Sequence, residues 1–348
     1  MLFFLIFAEI TKKYTKKQQE KQTNNKVYIQ SYSMRKLFIV FVFLVSVLTT
    51  THGQQTILFS QYMNNLVINN PAAVGHNDMI NVGGSFRSQY AGFEGAPIVY
   101  NVGADIGFNI SKTKHGAGIN FYDNTVGLFR FQDVNLDYAY RIPIKDGFLS
   151  AGVSINFTTV SYDTDRLHTV DSEYHSSDDP SIAQANGNDF KMDLGVGVMY
   201  KNKTWFAGIS LLNILAPKYQ LSSTSETNLF DKSRNLIFLG GYNISFTNPL
   251  YKLKVSAAIN TDFVTWSGIA NANIEYKERY WGGLGYRVDG AVVFMAGIRV
   301  LNGLNIAYSF DLPTSELIRS AGSHEISLSY SFNIDLSKKN KYKSIRYL

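Results

Sequence analysis

From Ile80 onward, apolar side chains recur at every second position over stretches longer than most soluble strands. A period of two sends successive side chains to opposite faces of a sheet. Leu149, Ala151, Val153, Ile155 and Phe157 alternate with Ser150, Gly152, Ser154, Asn156 and Thr158. Leu304, Ile306, Tyr308, Phe310 and Leu312 alternate with Asn305, Ala307, Ser309 and Asp311. The last stretch sets Ile326, Leu328, Tyr330, Phe332, Ile334 and Leu336 against Glu325, Ser327, Ser329, Ser331, Asn333 and Asp335. One face is apolar and the other is polar or very small.

The same pattern falls near 80–88, 97–110, 115–123, 127–142, 147–162, 189–200, 203–212, 234–246, 250–262, 266–277, 279–288, 290–300, 302–312 and 322–334. These make about fourteen strands, many of them near the roughly 9 to 11 residues that a strand needs to cross a membrane. The spacing therefore predicts an all-β fold, an outer-membrane antiparallel β-barrel over 80–336, in which closure pairs every edge and satisfies every backbone group in lipid. The rival is an exported β-sandwich, whose polar faces would carry more Lys and Glu than these Ser, Asn, Gly and Ala positions. Aromatic residues at 14% and 27 Gly against 7 Pro suit many strands and tight turns.

Connection lengths add a second constraint. Short turns at 111–114, 143–146, 201–202, 247–249 and 301–302 alternate with long connections at 163–188, 213–233 and 313–321, so strand parity puts the long ones at one end. Bacterial barrels keep short turns in the periplasm, which predicts periplasmic N- and C-termini, including a basic tail over 337–348.

Ahead of the barrel, Met34-Arg35-Lys36 precedes an apolar core from Leu37 to Leu48 and then small and polar residues before Gln54-Gln55. This is the layout of a secretory signal peptide over 34–53. Its core is shorter than the roughly 20 residues of a transmembrane helix. Residues 1–33 read as an upstream extension or disordered leader. The formal charge of +6 resides in residues 1–53, leaving 25 basic and 25 acidic residues in the remainder. A neutral body gives no electrostatic support to a nucleic-acid partner. The chain has no Cys, which removes disulfides and thiol chemistry.

The segment 54–79 alternates poorly. Within SQYMNNLVINNPAAVG, from Ser60 to Gly75, Asn69-Asn70-Pro71-Ala72 reads as a turn, because Pro71 fixes its own φ and keeps Asn70 out of the helical region. Its amides suit packing inside the barrel lumen or under its mouth. After the first strand, Gly92 and Gly95 permit tight backbone and Pro97 opens the next strand where a missing donor matters least. Arg87, Gln89 and Tyr90 either tie this loop to the barrel or contact a partner.

These elements together resemble the PorP/SprF family of type IX secretion system membrane proteins. The matching residues are Phe59, Ser60, Gln61 and Tyr62, then Asn70, Pro71, Ala72 and Gly75, then Arg87, Gln89, Gly92, Gly95, Ala96 and Pro97. Tyr90 departs from the Trp usual in the family but keeps an amphipathic aromatic. Asp123 to Gly127 and Tyr138-Ala139-Tyr140 share the likeness. The resemblance implies a non-enzymatic component that assists export or surface attachment of a large secreted cargo, gliding adhesins included, beside the translocon and a periplasmic ring. The alternative class is an outer-membrane porin or hydrophobic-substrate channel.

Chemistry-bearing motifs are sparse. Asp163, Asp165, Asp171, Glu173, Asp178 and Asp179 gather with His168 and His175 but lack calcium-loop spacing, which favours a solvated acidic loop. The six His show no zinc spacing, and the sequence holds no nucleophile elbow or phosphate loop, so no metal and no cofactor is expected. Tyr122, Phe129, Tyr162, Trp205, Phe206, Trp266, Tyr280 and Trp281 border strands and suit interfacial girdles.

Overall fold

A computed structural model describes residues 58–163, 187–220, 230–300, 303–314 and 319–332. The leader at 34–53, the acidic connection at 164–186 and the tail at 337–348 lie outside the described residues. The strands are β1 (Ile80–Ser88), β2 (Ile98–Ile110), β3 (Thr113–Val126), β4 (Phe129–Ile144), β5 (Gly147–Tyr162), β6 (Gly187–Lys201) and β7 (Trp205–Leu212). A short pair follows, β8 (Lys218–Tyr219) and β9 (Phe230–Asp231). The wall resumes with β10 (Asn235–Ser245), β11 (Tyr251–Thr261), β12 (Trp266–Tyr276), β13 (Tyr280–Arg287), β14 (Ala291–Val300), β15 (Leu304–Pro313) and β16 (Ser323–Phe332).

Fourteen of these strands close into one antiparallel barrel, each beside its neighbour in sequence, with β7 against β10 and β1 sealing on β16; β8 and β9 pair only with each other. The closing register sets Arg87 opposite Glu325 on β16 and opposite Val99 on β2. Parity divides the connections as the sequence predicts. Among the described residues, the end bearing the start of β1 and the finish of β16 joins its strands by short turns (the turn end), while the 89–97 connection and the strand ends that flank the long connections, at Tyr162 and Gly187, Leu212 and Asn235, and Pro313 and Ser323, lie at the other (the loop end). Wall height is uneven: β4 and β5 have 16 residues each and β13 has 8.

Alternation governs the outer surface. Val82, Val102, Ile119, Leu136, Val153 and Val196 are exposed, while neighbours such as Asn81, Asn101, Asn120, Asn156 and Ser327 are buried on the inner face. An exposed apolar surface continuous around a closed sheet marks contact with lipid.

The interior departs from the uniformly polar face expected. Ile237 and Leu239 on β10, Ile269 on β12, and Val293 and Met295 on β14 point inward and form a core with Met63, Leu66, Val67 and Val74 of the N-terminal segment. The aromatics also need correction. Tyr122 points inward with its ring 6.4 Å from that of Phe59, edge to face. Phe206 and Trp281 join the interior core, and Phe129 and Tyr162 pack with Val160 around Tyr219 of β8. Trp205 and Tyr280 do face outward and are exposed, as does Trp266 by strand parity. The physical reason is that the lumen is filled, so large rings find partners inside it.

Candidate functional site

The filling is the N-terminal segment. Three 3-10 turns, Tyr62–Asn64, Leu66–Ile68 and Pro71–Ala73, carry it across the lumen. Asn70 is extended, as a residue before proline must be, and its Oδ1 accepts from the Ala72 amide at 2.9 Å while Pro71 occupies the first helical position. Gly75 ends the passage with φ +68°, and a Cβ there would meet the backbone of Gly107 and Gly116 closer than 3.0 Å. The wall is cut back to receive it: a Cβ on Gly152 would strike Ala72, one on Gly116 would strike Val74, and one on Gly197 would strike the Asn70 amide.

Its partners lie on inner faces around the barrel. The Asn70 amide donates to the carbonyls of Val198 on β6 and Ile209 on β7, both at 3.2 Å. Gly75 N donates to Asp105 on β2 at 2.9 Å, and Asn65 donates to Asn101 at 3.1 Å. Across the lumen, Asn271 on β12 donates to the Ser60 carbonyl at 3.0 Å and Arg287 on β13 donates to the Leu58 carbonyl at 2.6 Å. Gln61 donates from Nε2 to Ser309 on β15 and accepts at Oε1 from Ser327 on β16.

A buried charge cluster anchors the start of the segment. Arg87 donates to Asp311 at 2.7 Å, to Glu325 at 3.1 Å and to the Ser60 hydroxyl at 3.0 Å. Glu325 accepts the successive backbone amides of Ser60 and Gln61 at 2.8 and 2.9 Å, and Arg287 lies 3.7 Å from Asp311. Two cations and two anions thus meet inside the barrel, with Asp289 at the edge of the cluster 3.9 Å from Arg287. Such a cluster adds little net stability over an apolar equivalent, but losing one member costs several kcal/mol. The apolar side chains are the larger favourable contribution: Met63 and Leu66 are wholly buried, each worth about 1.5–3 kcal/mol. The charges and amides then select one register for the segment.

At the turn end, Arg141 donates to the carbonyls of Gly75 and His76 and to the Asp78 carboxylate, which also accepts from Lys114. Burial opposes ionisation of Asp78, but Lys114 and Arg141 outweigh it and hold its carboxyl below the usual carboxylate range.

The candidate residues therefore divide into two groups. Gln61, Tyr62, Asn70, Pro71, Ala72, Gly75 and Arg87 meet inside the lumen, all buried. Gln89, Tyr90, Gly92, Gly95, Ala96 and Pro97 form the β1–β2 connection at the loop end. There the Gln89 amide donates to the Pro97 carbonyl at 2.9 Å, Ala91 exchanges backbone bonds with Gly322 and Ala321, and Gly127 donates to Gly95 at 2.8 Å. Tyr90 adopts φ 51°, Gly92 94° and Gly95 71°, and the exposed residues at the tip are Gly92, Phe93, Glu94 and Gly95. Asp311, Glu325, Arg287, Asn271 and Arg141 were not singled out from sequence. For Arg287, Asp311 and Glu325 the signal is one charge on the inner face of its strand, whereas Arg141 shares its face with Asp133 and Asp137 and Asn271 shares its face with Asn273 and Glu275. Among the described residues, no three His, Asp or Glu side chains gather as metal ligands.

Residues 51–330 match the sequence model of the family described as "Type IX secretion system membrane protein PorP/SprF". The chain belongs to the PorP/SprF family. This PorP/SprF protein is accordingly a membrane component of type IX secretion and a β-barrel of the bacterial outer membrane. No curated protein matches it. Among solved structures it is similar to the CymD monoaromatic hydrocarbon channel, at 11% identity and TM-score 0.43 over 81% of this chain and 95% of that one. It is also similar to the P. putida toluene transporter TodX, at 9% identity and TM-score 0.44 over 80% and 95%. BamA from Haemophilus ducreyi follows at 9% and 0.40 over 73% and 70%. The fold itself rests on the closed strand order of this PorP/SprF barrel.

Proposed function

We propose that this protein is a non-enzymatic, non-conducting outer-membrane partner in type IX secretion that assists export or surface attachment of a large cargo protein, gliding adhesins included. The observation that carries this reading is the N-terminal segment, which touches inner faces on β1, β2, β4, β6, β7, β12, β13, β15 and β16 and so occupies the space a diffusion pore would need. A signal peptide over 34–53 delivers the chain to the periplasm, both termini stay on that side with the turn end, and the loop end faces outward. The translocon and the periplasmic ring are its partners. Contact with cargo falls to the exposed tip at Phe93 and Glu94, while Arg87 acts from within the barrel.

Deletion of the gene tests the reading together with planar-bilayer recording of the purified barrel. The expected result is loss of cargo from the cell surface and medium, with no stable conductance. Stable large-pore conductance combined with intact secretion after deletion overturns it in favour of a diffusion channel. Mass spectrometry of the mature protein checks the leader, with a first residue near Gln54 expected.

A further inference from the structure

The apolar outer surface does not end at the same height all round. On β3 to β5 it gives way to Thr125, Arg130, Gln132, Thr159 and Ser161, and on β6 beyond exposed Phe190 to Asn188, before the loop end is reached. On β11 to β13 it runs to the tips, where Phe263 is 64% and Val264 81% exposed in the four-residue turn between β11 and β12, beside exposed Ile259 and, in the next loop-end turn, Val288.

Strand length explains the difference. The 16 residues of β4 extend about 54 Å, or about 41 Å along the barrel axis at a tilt of about 40°. The 8 residues of β13 extend about 27 Å, or about 21 Å along the axis, which falls short of the apolar band of about 25 Å that a barrel presents to lipid. Its neighbours β12 and β14, with 11 and 10 residues, reach about 29 and about 26 Å, so on this side the strands span little more than the band and their loop-end turns lie at its edge.

The β11–β12 turn is built to hold its apolar tip out. Phe263 adopts φ 70°, a left-handed conformation that a bulky residue takes only when its surroundings enforce it. Asp262 Oδ1 accepts from the amides of Val264 and Thr265 at 3.0 and 2.6 Å, Thr261 Oγ1 accepts from the Phe263 amide at 3.1 Å, and Thr261 donates to the Thr265 carbonyl at 2.6 Å. One oxygen of the carboxylate is thereby bonded within its own turn. A strained aromatic next to the most exposed apolar side chain of the turn would be costly in water and is favourable in lipid.

We infer that the β11–β12 turn is a lipid anchor: Phe263 and Val264 enter the leaflet at the loop end, continuous with the apolar belt through Ile259. The barrel then sits unevenly, with its β11–β13 rim within the bilayer and its β4–β6 wall standing clear of it. The occupant is the acyl region of that leaflet, because the patch continues the lipid-facing surface through Ile259 and the one carboxylate of the turn, Asp262, is bonded back to the amides of Val264 and Thr265.

The absence of Cys makes the test direct. Val264→Cys, Phe263→Cys, Ser161→Cys and Ile259→Cys are each labelled with a nitroxide, and the barrel is reconstituted in phosphatidylcholine bilayers. Collision with oxygen and with a water-soluble nickel chelate is then read by power saturation, with I259C as the lipid standard. V264C is expected to favour oxygen over nickel as I259C does, and S161C to favour nickel. F263C serves if labelling at 264 perturbs folding. A nickel preference at both 263 and 264 overturns the anchor, and an oxygen preference at S161C overturns the raised wall.

Discussion

The Arg87 guanidinium sits 2.7 Å from the Asp311 carboxylate, and the two side chains are 1% and 2% exposed. The residues are separated by 224 positions, and only closure of β1 on β16, with β15 beside it, brings them together. Ser60 is bonded to both, so the same cluster fastens barrel to lumenal segment.

Arg87→Met should therefore leave Glu325 without its cation and Asp311 with only Arg287 at 3.7 Å. The expected loss is about 3–5 kcal/mol, read as a lower denaturant midpoint of the folded, heat-modifiable form. Arg87→Lys should recover only part of it, because one ammonium does not reproduce the forked geometry that reaches Asp311, Glu325 and Ser60 at once. An unchanged midpoint for R87M would show that the cluster has no anchoring role.

Glycines on the inner wall separate packing against the segment from ordinary strand preference. A Cβ at Gly152 would lie closer than 3.0 Å to backbone atoms of Pro71 and Ala72, whereas one on outward Gly240 has its nearest neighbour at 3.8 Å. Gly152→Ala is expected to destabilise by about 1–3 kcal/mol through overpacking and to expose the segment to added protease. Gly240→Ala should stay within about 0.5 kcal/mol of the parent. Equal behaviour of the two variants would refute a close fit in the lumen.

Much of this was legible before the structure, and the reasons are local. Strand positions follow from alternation, and the Asn70-Pro71 turn follows from two adjacent residues whose conformations restrict each other. What escaped the sequence depends on neighbours far away in the chain. Leu236 to Leu239 and Ala291 to Met295 are continuous apolar runs whose outward members meet lipid and whose inward members Ile237, Leu239, Val293 and Met295 meet the N-terminal segment. Such two-sided strands were the available sign of a filled interior. Tyr122, Phe206 and Trp281 were read as girdle residues because strand borders alone do not say which face a ring occupies.

Acid should loosen the turn-end attachment before the apolar core. Asp78 has a carboxyl held below its usual range by Lys114 and Arg141 against the opposing effect of burial. Its folded pKa is thus lower than the unfolded value of about 3.9, so its contribution is fully present above that value and is lost as pH falls through the folded pKa. Stability measured from pH 5 downward should decline for the parent, with a shallower decline in Asp78→Asn. Identical acid slopes in the two proteins would sink this assignment.

The β8–β9 ribbon provides a local test at the loop end. Lys232, next to β9, donates to Asp133 on β4 at 3.0 Å and to Thr158 on β5 at 2.9 Å, while Tyr219 on β8 is wholly buried among Val160, Phe129, Phe131 and Tyr162. Lys232→Met removes both bonds and leaves a partly buried carboxylate, at a cost of about 1–3 kcal/mol. These contacts join ribbon to wall and do not join wall strands to each other, so the cost should fall on local opening rather than on global unfolding. Protease cleavage within 213–234 is expected to accelerate several-fold while the global denaturant midpoint is unchanged. A lowered midpoint with unchanged cleavage would instead mean that the ribbon opens only together with the barrel.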